Sequence, residues 1–316
     1  MYNIKDVKKH TSILFDKSRV LTKNGRERGN MYRIVYKKQL NPTVVMMDIE
    51  APLVAKKAQA GQFIILRVDE DGERIPLTVA GYDRENGTVK IIFQIVGATT
   101  KKLSEKQEGE YIQDFAGPLG LPTELEGLSE VCIVGGGVGC AIALPVAQAL
   151  KEKGAKVTSI IGFRSSDLVI LEDEFRACSD ELVVMTDDGS YGRHGNVTVP
   201  LKEMLENGEQ FDEVITIGPL IMMKFVVAAC KPFEVPVTVS MNPIMIDGTG
   251  MCGGCRLTLN QNGKRVTKFA CVDGPDFNGY EVDFDEAMSR GRMYFDFERH
   301  AYEETCNLLK KAKEAK

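Results

Sequence analysis

The chain of 316 residues and 34.9 kDa suffices for about two domains at roughly 150 residues each, with room for a small third. Its 43% hydrophobic and 27% charged content can bury a sizeable core, which excludes disorder, collagen and coiled coil as overall descriptions. A net charge of −5 and a pI near 5.5 leave no basic field for a polyanion, so no nucleic-acid partner is expected. Three scattered histidines, His10, His194 and His300, suggest neither a polyhistidine metal site nor an obvious catalytic base.

Residues 1–30 are polar and charged throughout, without the apolar run of a secretory signal, and read as an appendage. Over 31–122 the pattern becomes short β segments: Tyr32–Tyr36, Thr43–Ile49, Gln62–Val68, Leu77–Tyr82 and Val89–Val96. Turns at Asn41-Pro42, Asp71-Gly72 and Asn86-Gly87 separate them, which predicts a small antiparallel barrel or sandwich. Gly117-Pro118-Leu119-Gly120 and Leu121-Pro122 then mark a junction.

Over 123–240 the rhythm changes to strands alternating with helices. Strands are expected at Val131–Val134, Lys156–Gly162, Glu181–Thr186 and Val214–Ile217, and helices at Cys140–Lys153, Leu171–Cys178 and Pro219–Cys230, with a loop before the last strand. This alternation predicts a parallel sheet with right-handed crossovers. Val131–Leu150 carries no charge over twenty residues, the length of a membrane span, but its glycines and Pro145 favour a buried strand, turn and helix, so no membrane association is expected. Residues 241–316 form a short Gly/Cys-rich module ending in a charged helix, Glu298–Lys313. Eight cysteines without an export signal argue for reduced thiols or metal ligands and a cytoplasmic location.

Val131-Cys-Ile-Val-Gly135-Gly136-Gly137-Val-Gly139 is an apolar strand running into glycines that open a helix. A dinucleotide pyrophosphate needs backbone N–H groups it can approach without meeting a Cβ, with a helix N-terminus favouring the anion. The match to G-x-G-x-x-G is partial, since Cys140 holds the last position, and a plain tight strand–helix turn is the alternative. After the next strand, Arg164 stands where an adenosine ribose or its phosphate could lie, or as a solvated loop arginine.

Asp247-Gly-Thr-Gly-Met-Cys252-Gly-Gly-Cys255, with Cys271 sixteen positions further on, keeps the C-x4-C-x2-C spacing of plant-type two-iron ferredoxins, with aspartate at the first position. Three thiolates and one carboxylate supply four anionic donors for two irons. A zinc ribbon would want a fourth Cys or His nearby, and none lies between Cys230 and His300 beyond these three cysteines; unliganded structural cysteines are the remaining alternative. Cys132, Cys140 and Cys178 lie on apolar segments and read as small core residues.

Arg74-Ile-Pro76-Leu77-Thr78, followed by Gly97-Ala-Thr99-Thr100-Lys-Lys-Leu103, resembles the flavin signature of the ferredoxin–NADP+ reductase superfamily. Arg74 can pair with phosphate, Thr78 can bond the isoalloxazine edge, and N–H groups near Gly97–Thr100 can take the pyrophosphate. Within the superfamily the chain is similar to electron-transfer subunits of dihydroorotate dehydrogenase, and more so to small subunits of NADH-dependent ferredoxin:NADP+ oxidoreductases, the sulfide dehydrogenase-like type. The likeness covers about 31–294. It rests on Gly135–Pro145, Gly162–Phe175, Thr186–Gly192 with Asp187 and Asp188, Gly218-Pro219, the Asp/Cys module and Gly274-Pro275-Asp276-Phe277. Dihydroorotate-type subunits have cysteine where Asp247 stands, and Ala141-Ile142 replaces the frequent Ala-Pro after the glycine turn.

The resemblance implies a β plus α/β architecture: an antiparallel FAD-binding barrel, a parallel-sheet NAD-binding domain and a C-terminal [2Fe–2S] module. It implies FAD between barrel and sheet domain, hydride exchange with NAD(H) in preference to NADP(H), and single-electron transfer to the cluster, with no side chain acting as acid or base. Cofactor contacts are implied at Arg74, Pro76, Leu77, Thr78, Gly97, Thr99, Thr100, Gly135, Gly136, Gly137, Gly139, Arg164, Asp187, Asp188, Gly218 and Pro219. Asp247, Cys252, Cys255 and Cys271 would be the cluster ligands. A larger iron–sulfur flavoprotein would complete a heterodimer that reaches ferredoxin and performs electron bifurcation. An electron-transfer subunit of dihydroorotate dehydrogenase and a nucleotide-sensing subunit without turnover are the alternatives. In the terminal helix, Ala301, Thr305 and Leu308/Leu309 repeat at helical spacing, with Lys310, Lys311 and Lys313 in the last turn, as a face for the partner or for the chain's own domain.

Overall fold

The computed structural model describes residues 31–314, with side chains through Cys306. The appendage 1–30 and the side chains of Leu308, Leu309, Lys310, Lys311 and Lys313 lie outside the described residues.

The first part of the fold is β1 (Tyr32–Asn41), β2 (Val44–Glu50), α1 (Pro52–Ala55), β3 (Phe63–Arg67), β4 (Arg74–Asp83), β5 (Thr88–Gln94), α2 (Ala98–Glu105), β6 (Tyr111–Ile112) and β7 (Asp114–Leu119). Its seven strands run β6-β1-β2-β5-β4-β3-β7, every neighbour antiparallel. Only Gln113 separates the two end strands, so the sheet curls into a nearly closed barrel. Alternation along β3 decides two interfaces at once. Ile64 and Leu66 join Val79, Ile91 and Phe115 in the barrel core, while Phe63 and Ile65 point outward and pack with residues of the rest of the chain.

The second part is β8 (Glu130–Gly136), α3 (Cys140–Glu152), β9 (Lys156–Phe163), α4 (Glu172–Cys178), β10 (Glu181–Thr186), β11 (Arg193–His194), α5 (Thr198–Glu206), β12 (Glu213–Ile217), α6 (Leu220–Cys230) and β13 (Val237–Ser240). β14 (Arg256–Gln261), β15 (Lys264–Phe269), α7 (Ala270–Asp273), β16 (Asp276–Asn278), α8 (Phe284–Gly291) and α9 (Phe295–Glu314) follow. The sheet order is β11-β10-β9-β8-β12-β13-β16, parallel except for β16, which the C-terminal segment adds antiparallel at the edge. β8 is central and buried on both faces, which explains its unbroken Val-Cys-Ile-Val run. The uncharged stretch from Val131 is therefore β8, a turn and α3, and no helix of the described residues is long and apolar enough to cross a membrane.

Helix α5 occupies part of the segment expected as a loop. Leu201, Met204 and Leu205 bury one face at helical spacing, and Pro200 falls in the first turn, where no intrahelical N–H bond is lost. After the β14–β15 hairpin and α8, helix α9 returns to pack on α2 of the barrel, burying Thr305.

Candidate functional site

A cleft of 730 Å³ opens where the barrel meets the C-terminal ends of the parallel strands. It sits at the switch point of the sheet, where β8 leads to β9 on one side and β12 lies on the other, the usual ligand crevice of open α/β sheets. Each of the five long parallel strands sends a residue into it from its C-terminal end: Gly136, Phe163, Asp187, Ile217 and Ser240. From the barrel side Phe63, Pro76 and Thr78 close the opposite wall.

The four glycines of the β8–α3 turn divide by task. A Cβ at Gly139 would lie 2.4 Å from the Ile217 carbonyl oxygen, one at Gly136 2.3 Å from the Met222 sulfur, and one at Gly135 3.0 Å from the Cys140 sulfur. These three let α3 start tightly against β12 and α6. Gly137 differs: its φ is +55° and nothing lies within 4 Å of its missing Cβ, so its backbone faces open cleft. Gly136, Gly137 and Gly139 line the cleft; Gly135 lies behind them. On the adjacent strand ends Arg164 and Asp187 line the cleft, and so do Gly218 and Pro219 after β12, whereas Asp188 does not. The Asp188 carboxylate takes the Ser190 hydroxyl and N–H, which hold it below the usual carboxylate range.

On β4 the period-two alternation sorts the flavin-type motif. Pro76 and Thr78 face the cleft, Leu77 packs on the barrel core, and Arg74 is exposed outside the cleft at the strand's start. Gly97, Thr99 and Thr100 also lie outside the cleft lining, at the start of α2. The Thr100 hydroxyl oxygen accepts from the N–H groups of Val96 and Gly97, both at 3.0 Å, and Thr99 donates to Glu73 at 3.2 Å. The donors left for an anion are the N–H groups of the first turn of α2, and the space above Gly97 is open.

The cysteine loop turns through Gly248, Gly250 and Gly253 at φ values of +74°, +83° and +66°. Cys255 and Cys271 form its floor, 1% and 2% exposed, with their sulfurs 3.2 Å apart, beyond disulfide length. Burial, reinforced by Cys255, pushes the Cys271 thiol up to about 12. Asp247 and Cys252 form the outer pair: the Asp247 carboxylate accepts from the N–H groups of Thr249 at 2.8 Å and Cys252 at 2.7 Å, which keeps it below the usual range. Among the described residues no three His, Cys, Asp or Glu side chains are arranged to hold a single metal ion. Two pairs of donors, one outer and one inner, suit a two-iron cluster, in which each iron takes two protein ligands, better than a tetrahedral zinc. Cys132, Cys140 and Cys230 are buried in the sheet region, their thiols raised by burial, Cys140 and Cys230 to about 12. They are unreactive core residues.

Several cleft residues carry no motif. Met222 and Phe225 come from α6, and Ser240, Met241 and Met245 from the end of β13 and the segment after it. No strand is expected from the sequence at Val237–Ser240, so nothing in it marks Ser240 as the end of β13.

Residues 242–283 match the family described as the iron–sulfur cluster binding domain of dihydroorotate dehydrogenase B. A Thermotoga maritima protein described as a homologue of the dihydroorotate dehydrogenase B (NAD+) electron-transfer subunit is 47% identical over 270 residues, 85% of this chain and 94% of its own. The corresponding electron-transfer subunit of Streptococcus pneumoniae is 34% identical over 250 residues, covering 78% of this chain and 97% of that one. A solved structure of an NADH-dependent reduced ferredoxin–NADP oxidoreductase, studied for flavin-based electron bifurcation, is 46% identical with a TM-score of 0.81, covering 87% of this chain and 98% of its counterpart.

Proposed function

Because this chain belongs to the family of dihydroorotate dehydrogenase B electron-transfer subunits and their homologues, we propose that it is the flavin and iron–sulfur subunit of an NADH-dependent ferredoxin:NADP+ oxidoreductase. It exchanges electrons with NAD(H) through FAD in the cleft and passes them, by a [2Fe–2S] cluster, to a larger flavoprotein partner.

The observation that carries this reading is the wall shared by the cleft and the cysteine loop. Met245 lines the cleft and belongs to the same buried cluster as Cys255 and Cys271. A Cβ at Gly248, beside Asp247, would lie 3.1 Å from Ile65, whose β-ladder partner is the cleft residue Pro76. Redox groups in the two places would be separated by little more than one layer of side chains.

Bound FAD supplies the conversion between a two-electron hydride and single electrons. The residues of the chain orient and insulate. Thr78 offers a hydroxyl to a ring edge, Gly137 and the start of α2 offer backbone donors to phosphate, and Phe63, Met222 and Phe225 exclude water. Asp247, Cys252, Cys255 and Cys271 would hold the cluster, and binding must displace protons from the buried thiols. Around the loop Met251, Ile246 and Val272 are 88%, 50% and 42% exposed, an apolar rim suited to a docked partner.

Weighing the native complex and analysing its metal test the reading. It expects FAD, two irons per chain and a second, larger flavoprotein; stoichiometric zinc, or a chain that is alone and flavin-free in its native state, overturns it. The names of the relatives also favour a second reading, the electron-transfer subunit of a dihydroorotate dehydrogenase. Copurification with a dihydroorotate-oxidising subunit would select it.

A further inference from the structure

The cleft has a buried acid behind its wall that the proposed chemistry does not use. Asp276 opens β16 and faces Ser240 across the antiparallel ladder to β13. Its Oδ2 accepts a hydrogen bond from the Thr123 hydroxyl at 2.6 Å. Thr123 belongs to the connection between barrel and sheet, and that connection is stapled to the same segment, since the Leu121 N–H donates to the Gly274 carbonyl at 2.7 Å. The Met241 N–H donates to the Pro275 carbonyl at 2.9 Å from the other side, and both Pro275 and Ser240 line the cleft. Asp276 thus joins the barrel connection, the nucleotide sheet and the segment after the cysteine loop.

The other oxygen, Oδ1, is sealed from solvent and completes no hydrogen bond, and the residue directly opposite Asp276 in the ladder is Ser240. Among the described residues Asp276 has no ion-pair partner; the charged group coupled to it is another carboxyl, Glu213 on β12, itself raised by burial. Burial without a counter-charge raises the Asp276 carboxyl and favours its neutral form.

We propose that Asp276 is a positioning residue of the cleft, setting through Ser240 whether the cleft wall offers a hydrogen-bond donor or an acceptor to the bound ligand. A neutral carboxyl has one O–H. With Thr123 occupying Oδ2, that proton belongs on Oδ1, the oxygen still free to bond the ladder partner Ser240; donated to the Ser240 oxygen when ligand binds, it would leave the Ser240 proton to point into the cleft. An ionised carboxylate would instead draw the Ser240 proton to Oδ1 and leave only lone pairs facing the ligand. The neutral state therefore suits a ligand that presents a carbonyl. Ser240 ends β13 beside the end of β12, which Gly218 and Pro219 follow, and all three line the cleft; the ligand class is a nicotinamide ring recognised by its carboxamide oxygen. This step rests on the NAD(H) reading above.

The test uses the purified full chain and NAD+ as the probe, with binding measured across pH and the infrared carbonyl band of a protonated carboxyl measured separately. Ser240→Ala and Asp276→Ala should each weaken NAD+ binding about ten-fold, the loss expected for one buried hydrogen bond. Asp276→Asn, whose amide can donate in the same direction, should stay within about two-fold and lose the weakening that the unaltered chain shows as pH rises. The infrared band should be present in the unaltered chain at neutral pH and missing in Asp276→Asn. Unchanged affinity in both alanine variants, or absence of the band from the unaltered chain, overturns the proposal. A chain that binds no NAD+ at all would instead refute the functional reading, and the infrared band, which needs no ligand, would still decide the state of Asp276.

Discussion

The sulfur of Cys255 lies 3.2 Å from that of Cys271, sixteen residues away, while the Asp247 carboxylate is tied to the Cys252 N–H at 2.7 Å. The four proposed cluster ligands thus stand as two pairs, each bringing together residues that the loop or the β14–β15 hairpin separates in sequence.

That pairing predicts how substitutions at Asp247 behave. Asp247→Cys should retain two irons with a changed spectrum and potential, because a softer donor replaces oxygen at one iron. Asp247→Ala should lose iron. Iron analysis and electron paramagnetic resonance check both, and an unchanged cluster in Asp247→Ala would require a different fourth ligand.

The glycine turn offers a second test, because its members do different things. Gly139→Ala drives a Cβ to 2.4 Å from the Ile217 carbonyl, and backbone must move, so a loss of about 1–3 kcal/mol is expected in denaturant unfolding. Gly137→Ala meets no atom within 4 Å but holds φ at +55°, a strain of about 1–2 kcal/mol. Its methyl group would enter the cleft, so nucleotide affinity should fall further than stability does. In Gly139→Ala the main loss should be in stability.

The raised carboxyl of Asp276 makes stability depend on pH in a fixed direction. The folded chain binds its proton more tightly than the unfolded chain, so the contribution is complete below the ordinary carboxylate range and is lost as pH rises through the folded value. Asp276→Asn should flatten this part of the stability profile. Thermal unfolding of the two proteins from acid to neutral pH checks it, and parallel profiles would count against it.

Much of this was legible in the sequence, because the informative residues are local. The Val131–Gly139 strand and turn, the alternation within each of β3, β4 and β5, and the Asp247–Cys255 spacing each declare themselves within a dozen residues. What escaped depends on partners distant in sequence. Helix α5 carries a proline beside the β-branched Val199, and only burial of Leu201, Met204 and Leu205 against the sheet decides in favour of helix. The short β16 becomes a strand by pairing with β13, and that pairing is what brings Asp276 to Ser240. Thr123 reaches Asp276 across 153 positions, a contact no local pattern encodes.

The most direct test of the central claim is an anaerobic titration of the purified full chain with NADH, followed by visible absorption and electron paramagnetic resonance. Bleaching of bound flavin together with the signal of one reduced [2Fe–2S] cluster per chain is the predicted result. Flavin that stays oxidised under excess NADH, or flavin that bleaches while an intact cluster of adequate potential stays oxidised, would contradict it.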